Sequence, residues 1–104
     1  MSTPLPVELL YFEGCPNHGV ARASIERIAA EEDVLIDLRA VEVTSQEEVE
    51  ATRFLGSPSI RVNGRDVEPG ADDRETFVFA CRVYQTDAGI RGQPSDDWIR
   101  AALR

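Results

Sequence analysis

The pair Asn63-Gly64, set between "SIRV" and "RDVE", constrains this chain more than any other stretch. A type I′ turn needs positive φ at both central positions, and asparagine followed by glycine is the pair that accepts it, so the two flanking runs must be antiparallel neighbours. Upstream, Val7 to Phe12 (VELLYF) is apolar on both alternations apart from Glu8, as in a central strand covered on both faces. After Gly14 the period turns helical, with Ala21, Ile25, Ile28 and Ala29 on one stripe.

Val34 to Val43 (VLIDLRAVEV) alternates through Val34, Ile36 and Leu38 and then, one residue out of step, through Val41 and Val43. It reads as a second strand with a break near Arg39. In "TSQEEVEATRFLG", Ser45 and Glu48 form a capping box, and Gly56 is expected to supply the left-handed residue that ends a short helix. After the hairpin come an acidic loop with Asp72, Asp73 and Glu75, read as a solvated face, and "TFVFACRVY", whose periodicity fits strand and helix equally. "PSDDWIRAALR" closes the chain as a helix, with Ser95 as N-cap, Asp96 and Asp97 in the first turn, and Ile99 and Leu103 on one face. The expected order is strand, helix, strand, helix, hairpin, an extra segment and a last helix.

A chain of 104 residues is long enough for one domain and too short for two of ordinary size, and 42% apolar with 29% charged residues suits a folded globular protein. A formal charge of −8 would repel phosphates, so neither nucleic acid nor an anionic membrane surface is expected as a partner. No stretch approaches the roughly 20 apolar residues that span a bilayer, and "MSTPLPVELLYFEG" lacks the basic start of a secretory signal. The chain therefore reads as cytoplasmic. In a reducing cytosol two cysteines 66 positions apart, Cys15 and Cys81, are catalytic, redox-sensing, metal-binding or buried rather than a permanent staple.

Two short motifs fall at chemically telling places in this order. "GCPNH" (14–18) sits at the first strand-to-helix junction, and "GSPSI" (56–60) directly precedes the first strand of the hairpin. With the element order, these resemble the thioredoxin-like superfamily, in a Cys-Pro-x-His variant with His18 where the second active-site cysteine would stand. Stretches such as "GSPSIRVNG" and "CRVY" are also similar to small bacterial thioredoxin-like proteins sometimes labelled alkylmercury lyase, although true organomercurial lyases are considerably larger. The resemblance implies an α/β thioredoxin-like fold, with a central mixed sheet of about four strands flanked by three helices. Residues 70–94 would be an insertion before the last helix. It further implies that Cys15 is a nucleophile, that Pro58 follows a cis bond, and that Ser57 and Pro58, with Pro16 beside the thiol, place an extended substrate segment.

The physics of the thiol agrees with that assignment. If a helix begins at Pro16, Cys15 is its N-cap, and the free N–H groups of the first turn, with the helix dipole, favour thiolate. Cysteines so placed titrate at about 3.5 to 7.5 instead of about 8.5. Pro16 suits the first helical position, and His18, one turn in, would add charge or exchange a proton near the sulfur. Without a cysteine at position 18, a mixed disulfide on Cys15 must be resolved by an external thiol or by Cys81.

Cys81 lies on the alternation of Phe77, Phe79 and Val83 if its run is a strand, which predicts a core position. The other reading folds the insertion over the Cys15 end and brings Cys81 to it. The expected partners are thus a disulfide-containing protein or a low-molecular-weight thiol, with no cofactor and no resident metal. Two alternatives stand beside thiol-disulfide exchange. One is a soft-metal or mercurial-binding protein using Cys15 and Cys81, with His18 as a third ligand; the other is a redox-inactive binding module. Arg61 and Arg65 near the hairpin edge discourage pairing with a second copy, and the sequence names no oligomeric state.

Overall fold

A computed structural model describes residues 3–104, and the chain folds as β1 (Leu5–Tyr11), α1 (His18–Glu31), β2 (Ile36–Glu42), α2 (Gln46–Thr52), β3 (Ser59–Val62), β4 (Arg65–Asp66), a 3-10 turn (Ala71–Asp73), β5 (Tyr84–Thr86), β6 (Gly89–Arg91) and α3 (Asp96–Leu103). The main sheet has the order β2-β1-β3-β4, with β1 parallel to β2 and antiparallel to β3, and β3 antiparallel to β4. This is an α/β fold built on a four-stranded mixed sheet with three helices. β5 and β6 form a separate two-stranded hairpin. Among the described residues no helix is long and apolar enough to cross a membrane.

Strand β1 is central, and its apolar residues on both alternations are used on both faces. Val7 and Leu9 pack with Ala21, Ile25 and Ile28 of α1 and Ile99 and Leu103 of α3, while Leu10 packs with Val43, Phe54 and Val49 of α2. Helices α1 and α3 thus cover one face of the sheet and α2 the other. The same division explains β2. Its phase shift predicted a break near Arg39, but the strand pairs with β1 without interruption from Ile36 to Glu42. Ile36 and Leu38 face the α1 cluster and Val41 the α2 cluster, so the shift marks a change of the covered face.

The Asn63-Gly64 turn forms as expected, with φ of 53° and 80°, and joins β3 to β4. Ser95 caps α3 by accepting a hydrogen bond from the Trp98 N–H at 3.2 Å. Ser45 caps α2 in the same way through the Glu48 N–H, and the Glu48 carboxylate accepts from the Thr44 N–H at 2.9 Å. Those backbone and hydroxyl donors hold the Glu48 carboxyl below its ordinary value.

Helix α2 ends earlier than Gly56. Arg53 takes the left-handed conformation, φ 56°, because the chain must reverse there to send Phe54, fully buried, into the cluster of Leu10, Val43 and Val49. The Phe54 N–H then bonds back to the Val49 carbonyl at 2.9 Å. Gly56 also has positive φ, 115°, and its lack of a side chain is needed for a second reason: a Cβ there would lie 2.8 Å from Cβ of Arg82. Residues 80–82 pass directly over it.

Candidate functional site

Strand β1 ends at Tyr11 and the chain turns through Glu13 and Gly14, the latter at φ 91°, before Cys15. The Cys15 N–H bonds to the Phe12 carbonyl at 3.2 Å, which closes the turn and leaves Cys15 only 3% exposed. The expected cap position is corrected here. The first helical bond runs from the Ala21 N–H to the Asn17 carbonyl, so Asn17 is the N-cap and α1 starts at His18. Cys15 stands two residues ahead of the cap, and Pro16 is an exposed turn residue rather than the first of the helix.

His18 opens α1 with its ring stacked on Tyr11, the centroids 4.5 Å apart and the planes 17° off parallel. Among the described residues no side-chain hydrogen bond joins His18 to Cys15, and no group of three or more His, Cys, Asp or Glu side chains gathers as a metal site. Cys15, Cys81 and His18 therefore do not form the three-ligand cluster considered from sequence.

Ser57 is the meeting point of the remaining elements. It is fully buried, its Oγ accepts a long hydrogen bond of 3.4 Å from the Phe12 N–H, and a cis peptide bond joins it to Pro58. Its backbone is engaged on both sides by the insertion. The Ser57 N–H donates to the Ala80 carbonyl, and its own carbonyl accepts from the Arg82 N–H, both at 2.9 Å. This is a single parallel β-bridge centred on Ser57 and Cys81.

Residues 76–83 are thus neither the regular strand nor the helix considered from sequence, but a strap that makes one β-bridge before β5 begins at Tyr84. The Val78 N–H bonds to the Phe54 carbonyl at 3.0 Å, and the Phe79 ring meets Phe12 edge-on at 5.4 Å. The apolar alternation misplaces its burial. Cys81 is exposed and Val83 is 66% exposed, whereas Arg82 and Tyr84 are buried. The core position predicted for Cys81 is accordingly wrong, because the strap is anchored through the opposite set of side chains.

Arg82 supplies that anchor. Its guanidinium donates to both carboxylate oxygens of Asp66, at 2.7 and 3.1 Å, to Glu68 Oε1 at 2.8 Å and to Ser59 Oγ at 2.8 Å. It also lies over the Tyr84 ring at 4.3 Å, and the Tyr84 hydroxyl donates to the Pro58 carbonyl. Burial works against the charged guanidinium, yet the bonds and charges of its acidic partners prevail and its pKa stands above the ordinary arginine value. For Tyr84 burial dominates and raises the phenol. Glu68 is pushed up by its partial burial but held lower still by Arg82 and Arg74, ending below the ordinary carboxyl value. On the other side of the site the Asn17 side-chain amide fills the space that a Cβ on Gly92 would take.

Of the residues singled out in the sequence, the structure brings Ser57, Pro58 and the backbone of Cys81 together and links them to the Cys15 turn through Phe12. His18 and Pro16 lie beside that turn. Sequence reasoning passed over Arg82, Asp66 and Glu68. The available signal was a charged residue inside the apolar run "FVFACRVY", since arginine is rarely buried without partners. The chain matches no family model, no curated protein and no solved structure.

Proposed function

We propose that this is a thioredoxin-like thiol protein that acts in thiol-disulfide exchange or reduces mixed disulfides, with Cys15 as the nucleophile. The observation that carries this reading is the convergence of the Cys15 turn, at the end of the central strand, with Ser57 and a cis-Pro58 at the start of the antiparallel neighbour. The Cys15 thiolate attacks one sulfur of a substrate disulfide, and the second sulfur leaves with the electron pair of the broken bond as a thiolate. That thiolate takes a proton from solvent or from His18. Cys15 is then joined to the substrate as a mixed disulfide, which a second thiolate breaks by attacking the Cys15 sulfur, releasing the reduced substrate. The second thiolate is Cys81 or an external low-molecular-weight thiol.

Ser57 and Pro58 place the substrate backbone in this scheme, while Pro16 and His18 border the sulfur. The test is reduction of insulin by dithiothreitol in the presence of the protein. Cys15→Ser should reduce catalysis to the background rate, and catalysis surviving in that variant removes the reading. Cys81→Ser separates the two routes of resolution: multiple turnover persists with excess external thiol if Cys81 is dispensable, and stalls at the mixed disulfide if it is the resolver.

A further inference from the structure

The Ser57 backbone offers one N–H and one C=O to a neighbouring extended segment, and both are already taken by the strap, from the Ala80 carbonyl and the Arg82 N–H. A backbone donor and acceptor presented side by side at the end of a sheet form a site for β-strand addition. Pro58, which follows, has no N–H to donate. An incoming polypeptide that pairs with Ser57 must accept from that N–H and donate to that carbonyl, from residues two apart in a parallel approach or from a single residue in an antiparallel one, and the residue facing Ser57 stands where Cys81 now is. Gly56 clears the approach, since a side chain there would strike Arg82.

We infer that residues 77–82 are a built-in substitute for the substrate: they hold the backbone position at Ser57 that an extended, cysteine-bearing polypeptide takes, and they must leave before it binds. The inference rests on the proposed thiol chemistry at Cys15 and narrows its substrate class to extended polypeptides rather than small disulfides. The way the strap is held agrees with such a role. Its middle is lightly fixed, with Val78 39% and Phe79 44% exposed, attached by the Val78 bond to Phe54 and the Phe79 contact with Phe12, while Phe77 ahead of it packs half-buried against the Leu10 cluster with the Arg53 guanidinium 4.8 Å from its ring centroid. Its end is locked by the buried Arg82 cluster. The strap is thus built to lift between Phe77 and Arg82, giving up both backbone bonds to Ser57 while the Phe77 and Arg82 side chains keep it attached.

The experiment compares the full chain with a Val78→Pro, Phe79→Ser variant, which removes the two light attachments at partly exposed positions; Phe79→Ser alone serves if the pair does not fold. Amide hydrogen exchange at Ser57 reports whether the strap has been loosened. Each protein is then assayed for Cys15-dependent reduction of insulin, a polypeptide disulfide, and of 2-hydroxyethyl disulfide, a small one. The expected result is faster Ser57 exchange with about a tenfold rise in insulin reduction and less than a twofold change with the small disulfide. Faster exchange with insulin reduction unchanged, or with both substrates accelerated equally, overturns the inference. If neither protein reduces either substrate through Cys15, the thiol reading itself falls. The strap is then judged by fluorescence anisotropy with labelled, alkylated insulin B chain: at least tenfold tighter binding to the loosened variant supports it, and equal binding overturns it.

Discussion

Replacing Arg82 with methionine separates the contribution of the ionic cluster from that of the apolar contacts around it. Methionine fills much the same volume but leaves the carboxylate of Asp66, whose side chain is 1% exposed, without its cation. Asp66 Oδ1 keeps the Glu68 N–H at 2.9 Å, whereas Oδ2 loses the Arg82 bond and gains nothing. Breaking a buried pair by removing one partner costs about 3–5 kcal/mol, a large share of the roughly 5–15 kcal/mol that holds a domain together. With an unfolding entropy of about 2.1 cal/mol/K per residue, that loss lowers Tm by roughly 14–23 °C for a chain of this length. Glu68, still paired with Arg74 at 2.8 Å and partly exposed, adds little to the penalty. Adding Asp66→Asn removes the stranded charge and keeps the Glu68 N–H bond, so the double variant should recover most of the loss. Urea denaturation of the wild type, both single variants and the double variant gives the coupling directly. A loss under about 1 kcal/mol for Arg82→Met, or a double variant no more stable than that single one, would refute the argument that paired burial anchors the strap.

Three further outcomes follow from the same geometry. Glu68 titrates below its ordinary value of 4.5 in the folded chain, so the stability it confers is complete above that value and drains away as pH falls through the lower native one; the stability gap between wild type and Glu68→Gln in urea melts should therefore close on acidification from pH 6 to pH 3. Gly56→Ala forces a side chain into a φ of 115° and against Cβ of Arg82, so it should cost about 1–3 kcal/mol and speed exchange at the Ser57 and Arg82 amides, as read by exchange mass spectrometry. Ser95→Ala removes the acceptor for the Trp98 N–H and should cost about 1 kcal/mol, visible as a small drop in Tm, while a loss within error would mean that solvent replaces the cap.

What the sequence revealed is what short-range chemistry encodes. Asn63-Gly64, the Ser45 and Ser95 caps and the doubly apolar β1 each depend on residues within a few positions of one another, and each took the expected form. The start of α1 was misplaced by two residues, because Pro16 fits a first helical turn and an ordinary turn equally well. The phase shift at Arg39 was visible, but its cause, two clusters on opposite faces of one unbroken strand, required both layers to be in place. Gly56 signalled a positive φ correctly but not the end of α2, which is capped by Arg53 instead, and the close approach of Arg82 to Gly56 was not legible. The strap was least legible. Arg82 finds its acceptors 14 to 23 residues upstream, and no local pattern announces that the charged residue of "ACRV" is buried while the cysteine and valine beside it are exposed.

The location of those acceptors also orders the assembly of the molecule. Ser59, Asp66 and Glu68 all belong to the β3-β4 hairpin or the residues leaving it, and the hairpin closes through a two-residue turn. A strap arriving before the hairpin had formed would desolvate a guanidinium with nothing to receive it, so the anchor is expected to engage after the hairpin, on the native side of the folding barrier. Arg82→Met should accordingly raise the unfolding rate and leave the refolding rate nearly unchanged, whereas Gly64→Ala should slow refolding. Stopped-flow chevrons of the two variants measure this, and an equal effect of Arg82→Met on both limbs would reverse the order. On that ordering the hairpin sets how quickly the protein reaches its folded state, and the buried Arg82 anchor sets how long it stays there.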